Sequence, residues 1–277
     1  MIDVLTFMAP AICMCVILVG ICGYVGIHVV MREVIFIDIA LAQIAALGVS
    51  IGFFFGLDSA SPWVYVISLV STLAAAGLLS TTRCLAHLVP QEAFIGVLYA
   101  TGAAAVVLAG DRSPHGNEQV HDLLVGHLLW VNWNEVLLYL GIYLVLGAVY
   151  LVLHKRLIKI SALKQCDGAS PRTLAFWDFV FYSLLGVVVT FAVRVAGVLL
   201  VFGFLIAPAV IGALLSDKFG GRLAIGWTTG VVVSLIGSYL SYSLDFPTGG
   251  MVVVTLGLAL LVVAVAKALQ LRRARAT

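Results

Sequence analysis

Charge is what this sequence has least of. Asp, Glu, Lys and Arg make up 10% of its 277 residues, against 63% hydrophobic ones. A chain so poor in polar side chains cannot cover a water-soluble globule. With a mean hydropathy of +1.18 it reads as an integral membrane protein, which sets nucleic acid aside as a partner. Catalytic signatures are missing as well. The sequence has no GxxxxGK[ST] loop, no GxSxG elbow and no HExxH pair, so it lacks the parts for binding ATP or for serine or zincin hydrolysis. Energy for any transport must come from a separate subunit. An intramembrane enzyme would need a nucleophile and a base at one depth, and no such pairing stands out. Met1-Ile2-Asp3 carries no basic n-region, so no cleavable signal is expected. Paired cysteines are lacking too. Cys13, Cys15, Cys22, Cys84 and Cys166 include no CxxC, and buried free thiols are expected. Two residues apart on a helix, Cys13 and Cys15 face different sides and make a poor metal pair.

What is present in abundance is long apolar stretches. Those able to cross a ~30 Å core lie at about residues 9–30, 35–56, 62–82, 92–110, 134–154, 175–193, 196–215, 223–243 and 250–269. The expected fold is an all-α polytopic helical bundle of nine spans, or eight if two are short or re-entrant, forming one transmembrane domain over residues 1–277. Basic residues then orient it. If the Arg32 turn faces the cytoplasm and the chain alternates, thirteen of the fifteen Lys and Arg fall inside, and Arg112 and Arg194 fall outside. The N-terminus is thus expected outside and the C-terminus in the cytoplasm.

The chain is organised around residues 194–222, RVAGVLLVFGFLIAPAVIGALLSDKFGGR, an apolar run containing Pro208 and Gly212 and closed by Asp217, Lys218 and Arg222. Pro208 removes a backbone donor, which predicts a kink or split there and a short polar helix after it. Residues 207–222 are the expected cytoplasmic docking element.

Several polar residues break the apolar pattern. Asp38 and Gln43 sit in the second span, where an acid usually faces a cavity or a partner. Glu92 follows Pro90 and opens the fourth span, and two readings stand for it: a helix cap, or a pathway residue. Gly20, Gly23 and Gly26 predict a close helix packing face, and His28 an interior histidine. The segment 111–127, DRSPHGNEQVHDLLVGH, gathers three of the six histidines. If it is helical, Glu118, His121 and Asp122 share a face, with His115 before them and His127 after. Nitrogen and oxygen donors of this kind suit a divalent ion such as zinc, though a solvated polar loop accounts for them as well. Residues 154–172 form the most basic cytoplasmic loop, which suits membrane-surface anchoring or contact with an ATPase.

Two motifs carry a resemblance. Leu205-Ile206-Ala207-Pro208-Ala209 and Asp245-Phe246-Pro247-Thr248-Gly249 resemble the "ALLIxPA" helix and the Asp-x-Pro-Ser/Thr-Gly turn of the membrane subunits of bacterial zinc, manganese and iron ABC importers. LLVGHLLWVNW, residues 123–133, is similar to their "LLxGSLLxVSW". The likeness runs from about residue 25 onward and implies a type II importer-like permease in the bacterial inner membrane. It also implies a homodimer, a cytoplasmic ABC ATPase, an extracytoplasmic metal-binding protein and no permanently bound cofactor. The cargo expected is a divalent metal, zinc first and manganese or iron next; a metal chelate or cobalamin-like ligand is the alternative. The family's Asp-x-x-x-His on the second helix is not matched: Gln43 stands at the His position, Ile39 at the Asp position, and Asp38 is displaced by one residue.

Overall fold

The computed structural model describes residues 2–57, 61–85, 88–111, 126–163 and 170–276, with side chains from residue 8 to residue 274 within those ranges. The regular elements described are all helical. They are α1 (Ile2–Met31), α2 (Ile37–Phe54), α3 (Pro62–Ser80), α4 (Gln91–Asp111), α5 (Trp133–Ser161), α6 (Pro171–Leu215), α7 (Phe219–Leu244) and α8 (Thr248–Ala276), with short 3-10 turns at Arg83–Leu85 and Leu128–Trp130. Uninterrupted apolar composition favours this outcome, because a helix satisfies its own backbone donors where no water can.

Among the described residues, eight helices are long and apolar enough to cross a membrane. The sixth and seventh spans expected from sequence both lie within α6. A straight helix of 45 residues would run about 68 Å, more than twice the thickness of a hydrocarbon core. Gly197, at φ 76° and ψ 160°, divides the element, in a region of backbone space that belongs to residues without a Cβ. Among the described residues, the nine apolar stretches expected from sequence thus lie in eight helical elements. The helix does not split at Pro208, which stays inside α6 as it continues to Leu215. No separate polar helix follows, since α7 begins at Phe219 after a turn at residues 216–218.

The chain forms two compact units. One comprises Met1–Val30, His127–Tyr143 and Leu199–Thr277. Within it α1 packs on α7, and the Trp227 indole N–H donates to the Gly20 carbonyl at 3.0 Å. A Cβ on Gly26 would lie 1.9 Å from the Leu205 carbonyl oxygen and one on Gly23 3.0 Å from the Trp227 ring, so these two glycines face close packing, whereas a Cβ on Gly20 would meet nothing within 4 Å. His28 is buried, with its ring centroid 5.1 Å from that of Tyr24 and 5.4 Å from that of Phe219. The Asp-Phe-Pro-Thr-Gly segment is a helix stop. Asp245 is left-handed at φ 55°, the Phe246 N–H reaches back to the Ser241 carbonyl at 3.1 Å, and the Ser241 hydroxyl donates to the Phe246 carbonyl at 2.7 Å. Cys13, Cys15 and Cys22 are free thiols, whereas Cys84 is disulfide-bonded, against the expectation of free thiols throughout.

The other unit comprises Met31–Gly126 and Leu144–Val198. Its helices α2 and α3 are joined by the Ser68 hydroxyl, which donates to the Ala45 carbonyl at 2.8 Å. The hydroxyls of Thr72 and Thr190 meet at 3.3 Å between α3 and the first part of α6. Small hydroxylated residues allow such close approach and keep their polar atoms satisfied.

Candidate functional site

The polar residues of the second unit gather at one end, around Asp178. This carboxylate, fully buried, accepts from two guanidinium groups, Arg32 in the α1–α2 turn and Arg83 in the 3-10 turn after α3. Arg83 contributes a bond of 2.9 Å to one carboxylate oxygen and 3.2 Å to the other. Its second amino group donates to the carbonyls of Ile160 and Leu163 at the end of α5. Arg32 adds a bond of 2.9 Å to the Ser161 hydroxyl, and its guanidinium lies 4.2 Å from the Phe181 ring centroid. One buried carboxylate thus serves two guanidinium groups at once.

Glu92 belongs to the same end. Its carboxylate accepts the Ile35 N–H at 2.9 Å, and the Gln91 amide beside it donates to the Tyr182 hydroxyl at 3.0 Å. The bond to Ile35 satisfies a backbone donor just before α2 begins, where the chain has no helical partner to offer it. Of the two sequence readings, this geometry favours capping, though of the α1–α2 turn and not of Glu92's own helix.

Asp38 lies in the first turn of α2, buried, and neither carboxylate oxygen has a hydrogen bond of normal geometry; the backbone N–H groups of Asp38 and Ile39 are the polar groups beside it. Gln43 is further along α2 and packs against α4, where a Cβ on Gly102 would stand 3.3 Å from its own Cβ. Among the described residues, no three His, Cys, Asp or Glu side chains gather as a metal site. His127 stands immediately before the Leu128–Trp130 turn, where its carbonyl accepts the Trp130 N–H at 2.9 Å, and is exposed. His115, Glu118, His121 and Asp122 lie outside the described residues.

The expected coupling residues assemble in the first unit. Ser216 N–H closes α6 on the Gly212 carbonyl at 2.9 Å, and the Arg222 guanidinium crosses the turn to the Ser216 carbonyl at 2.9 Å. A Cβ on Gly212 would lie 2.4 Å from the Arg222 carbonyl oxygen. Asp217 and Lys218 stand exposed at the tip. Pro208 faces Gly226 of α7, whose Cβ would come 3.1 Å from the Pro208 carbonyl oxygen. Sequence reasoning missed Asp178. Its signal was there, since it is the one acid in residues 171–196, but its arginine partners lie 146 and 95 residues away.

Residues 4–267 match the model of the family described as "ABC 3 transport family". The "Probable iron transport system membrane protein" of Haemophilus influenzae is 30% identical over 251 residues, covering 88% of this chain and 84% of that one. The "Manganese transport system membrane protein MntB" of Synechocystis is 29% identical over 170 residues, 60% of this chain and 54% of its own. The solved structure of PsaBC from Streptococcus pneumoniae in complex with Fab superposes with a TM-score of 0.75 at 21% identity, covering 95% of this chain and 93% of that one. That likeness shows the fold. With nearly its whole length matched by the family model, and the fold of a multi-pass membrane transporter subunit, this chain belongs to the ABC 3 transport family.

Proposed function

We propose that this protein is the membrane-spanning permease subunit of an ABC importer for a divalent first-row metal ion. The observation that carries the reading is the family match over residues 4–267, joined to relatives whose names specify iron and manganese. Those names move the preferred cargo from zinc to iron or manganese; of the histidines that favoured zinc, His115 and His121 lie outside the described residues. Two copies form the path, an ATPase on the cytoplasmic side drives it and an extracytoplasmic protein delivers the ion. The end of α6, the exposed Asp217 and Lys218 and the first turn of α7 form the ATPase-facing surface. The lock of Arg222 on Ser216 makes that surface rigid enough to transmit a push.

Capture of the ion is assigned to the segment 111–127. His115, Glu118, His121 and Asp122 receive it, His127 stands at the segment's end, and Asp38 and Gln43 are weak sites further along. Loose, incomplete ligand sets suit a conduit, because a closed cage would hold the ion. A second reading, a permease for a chelated metal, is favoured by one fact: the Glu92 carboxylate is engaged by the Ile35 N–H, which leaves fewer ligands for a bare ion. Uptake of labelled manganese, iron, zinc and an iron chelate by the reconstituted importer separates these. Saturable uptake of bare manganese or iron supports the first reading, chelate-only uptake the second, and no metal-dependent ATP hydrolysis overturns both.

A further inference from the structure

The exposed stripe of α5 changes character within one turn. Val145, Val149 and Val152 lie three to four residues apart and are all exposed, Val152 at 84%, so they share one face. The next positions on that face are Lys155, Arg156 and Lys159, also exposed. The stripe thus reads as an apolar face toward hydrocarbon that ends in three cations at one membrane interface.

A second helix completes the cationic end. Arg172 is exposed in the first turn of α6, Phe176 is 60% exposed one turn on, and the Arg156 guanidinium lies 5.4 Å from the ring centroid of Trp177. Stacking over an indole holds a guanidinium by its face and leaves its N–H edge free for an oxyanion. No carboxylate pairs with Lys155, Arg156, Lys159 or Arg172 among the described residues. Between Glu135 and Asp178 the sequence offers a single acid, Asp167, and Asp178 is already taken by Arg32 and Arg83. Those arginines also bond to Ile160, Ser161 and Leu163, so the base of the cationic corner is tied to the protein interior.

We propose that the corner formed by Lys155, Arg156 and Lys159 of α5 with Arg172 and Trp177 of α6 is a binding site for the headgroup of an anionic phospholipid. The phosphate sits against the edge of Arg156, Lys159 and Arg172 supply the balancing charge, and the acyl chains lie along Val152, Val149 and Val145. Charge complementarity and continuity decide for lipid over an acidic protein surface. The cations continue a stripe whose other members face hydrocarbon, whereas a soluble ATPase would approach beyond the helix ends.

The test uses the full permease–ATPase complex in nanodiscs of phosphatidylcholine with and without phosphatidylglycerol. Native mass spectrometry reads the phosphatidylglycerol retained after release, and co-purification reads the bound ATPase. Each charge removed should weaken retention about fivefold, so Lys155→Gln/Arg156→Gln/Lys159→Gln should lower it on the order of a hundredfold. Arg156→Lys keeps the charge but loses the planar edge, and should lose several-fold in retention. All these side chains are exposed, so thermal stability in phosphatidylcholine should not change; a variant that unfolds there overturns the proposal by showing a structural role. Retention equal to the parent's in the triple variant overturns it. So does loss of the ATPase with lipid retention unchanged, which would assign the corner to protein contact.

Discussion

At the scale of single residues, two carboxylates, Asp178, which sequence reasoning missed, and Glu92, which it left ambiguous, lead to measurable differences. Asp178 is surrounded by Arg32 and Arg83 with side chains 2% and 9% exposed. Replacing it by Asn leaves two buried guanidinium groups without a counter-charge, and loss of one partner of a buried pair costs about 3–5 kcal/mol. Thermal unfolding of the detergent-solubilised protein should show Asp178→Asn as strongly destabilised, and Arg32→Gln to a smaller extent because Arg83 would remain. Glu92 offers a sharper discrimination. As an acceptor for the Ile35 N–H it needs an oxygen but no charge. Glu92→Gln should then keep both stability and metal uptake, while Glu92→Ala loses about 1 kcal/mol. Abolished uptake in the Gln variant, with stability intact, would return Glu92 to the ion path.

Elements decide the next level, and here helix breaks matter more than helices. Gly197 divides α6 in a conformation that a Cβ resists. Gly197→Ala should cost about 1–3 kcal/mol, and Pro208→Ala, which merely restores a helical donor, should cost less. At the α6–α7 turn, Gly212→Ala forces a Cβ against the Arg222 carbonyl. The start of α7 must shift to admit it, at about 1–3 kcal/mol. If residues 207–222 meet the ATPase, that shift also separates ATP hydrolysis from uptake, so Gly212→Ala should hydrolyse ATP at near the parent rate and import less metal. Parallel losses of both activities would instead indicate failed assembly.

For the whole molecule, orientation and ion capture are the two open quantities that experiment can set. Nine apolar stretches, which would put thirteen of the fifteen Lys and Arg on one side if the chain alternates, predict that the Lys155→Cys site is labelled from the cytoplasm and the Asn134→Cys site from outside, in a background without native cysteines. Labelling of both from one side would sink the topology. His121→Ala/Asp122→Ala should abolish uptake at low metal while leaving the ATPase bound, and Gln43→Ala should have the smaller effect. Normal uptake in the double variant would move capture away from segment 111–127.

The membrane class, helical architecture, span positions and family were legible in the chain because each depends on local quantities. Apolar run length, the thickness of a bilayer, basic residues at span ends and two short motifs are all read within a few tens of residues. Gly23 and Gly26 were readable as part of a packing face for the same reason, since their spacing lies on one helix, although what approaches them, the Trp227 ring and the Leu205 backbone, is a tertiary fact, as is the open space at Gly20. Tertiary structure alone decided the rest. The polar end of the second unit joins residue 32 to residue 178 and residue 83 to residues 160 and 163, separations no periodicity can report. Pro208 looked like the break because proline forbids a hydrogen bond locally. The helix runs on through Pro208, whose carbonyl faces Gly226 of α7, and it is Gly197 that divides the element, since a conformation of positive φ is available to glycine wherever packing demands a turn. Glu92 was ambiguous for a similar reason: an acid at a helix start can cap its own helix, line a path or reach across to another turn, and its contact with the Ile35 N–H is visible only in the tertiary structure.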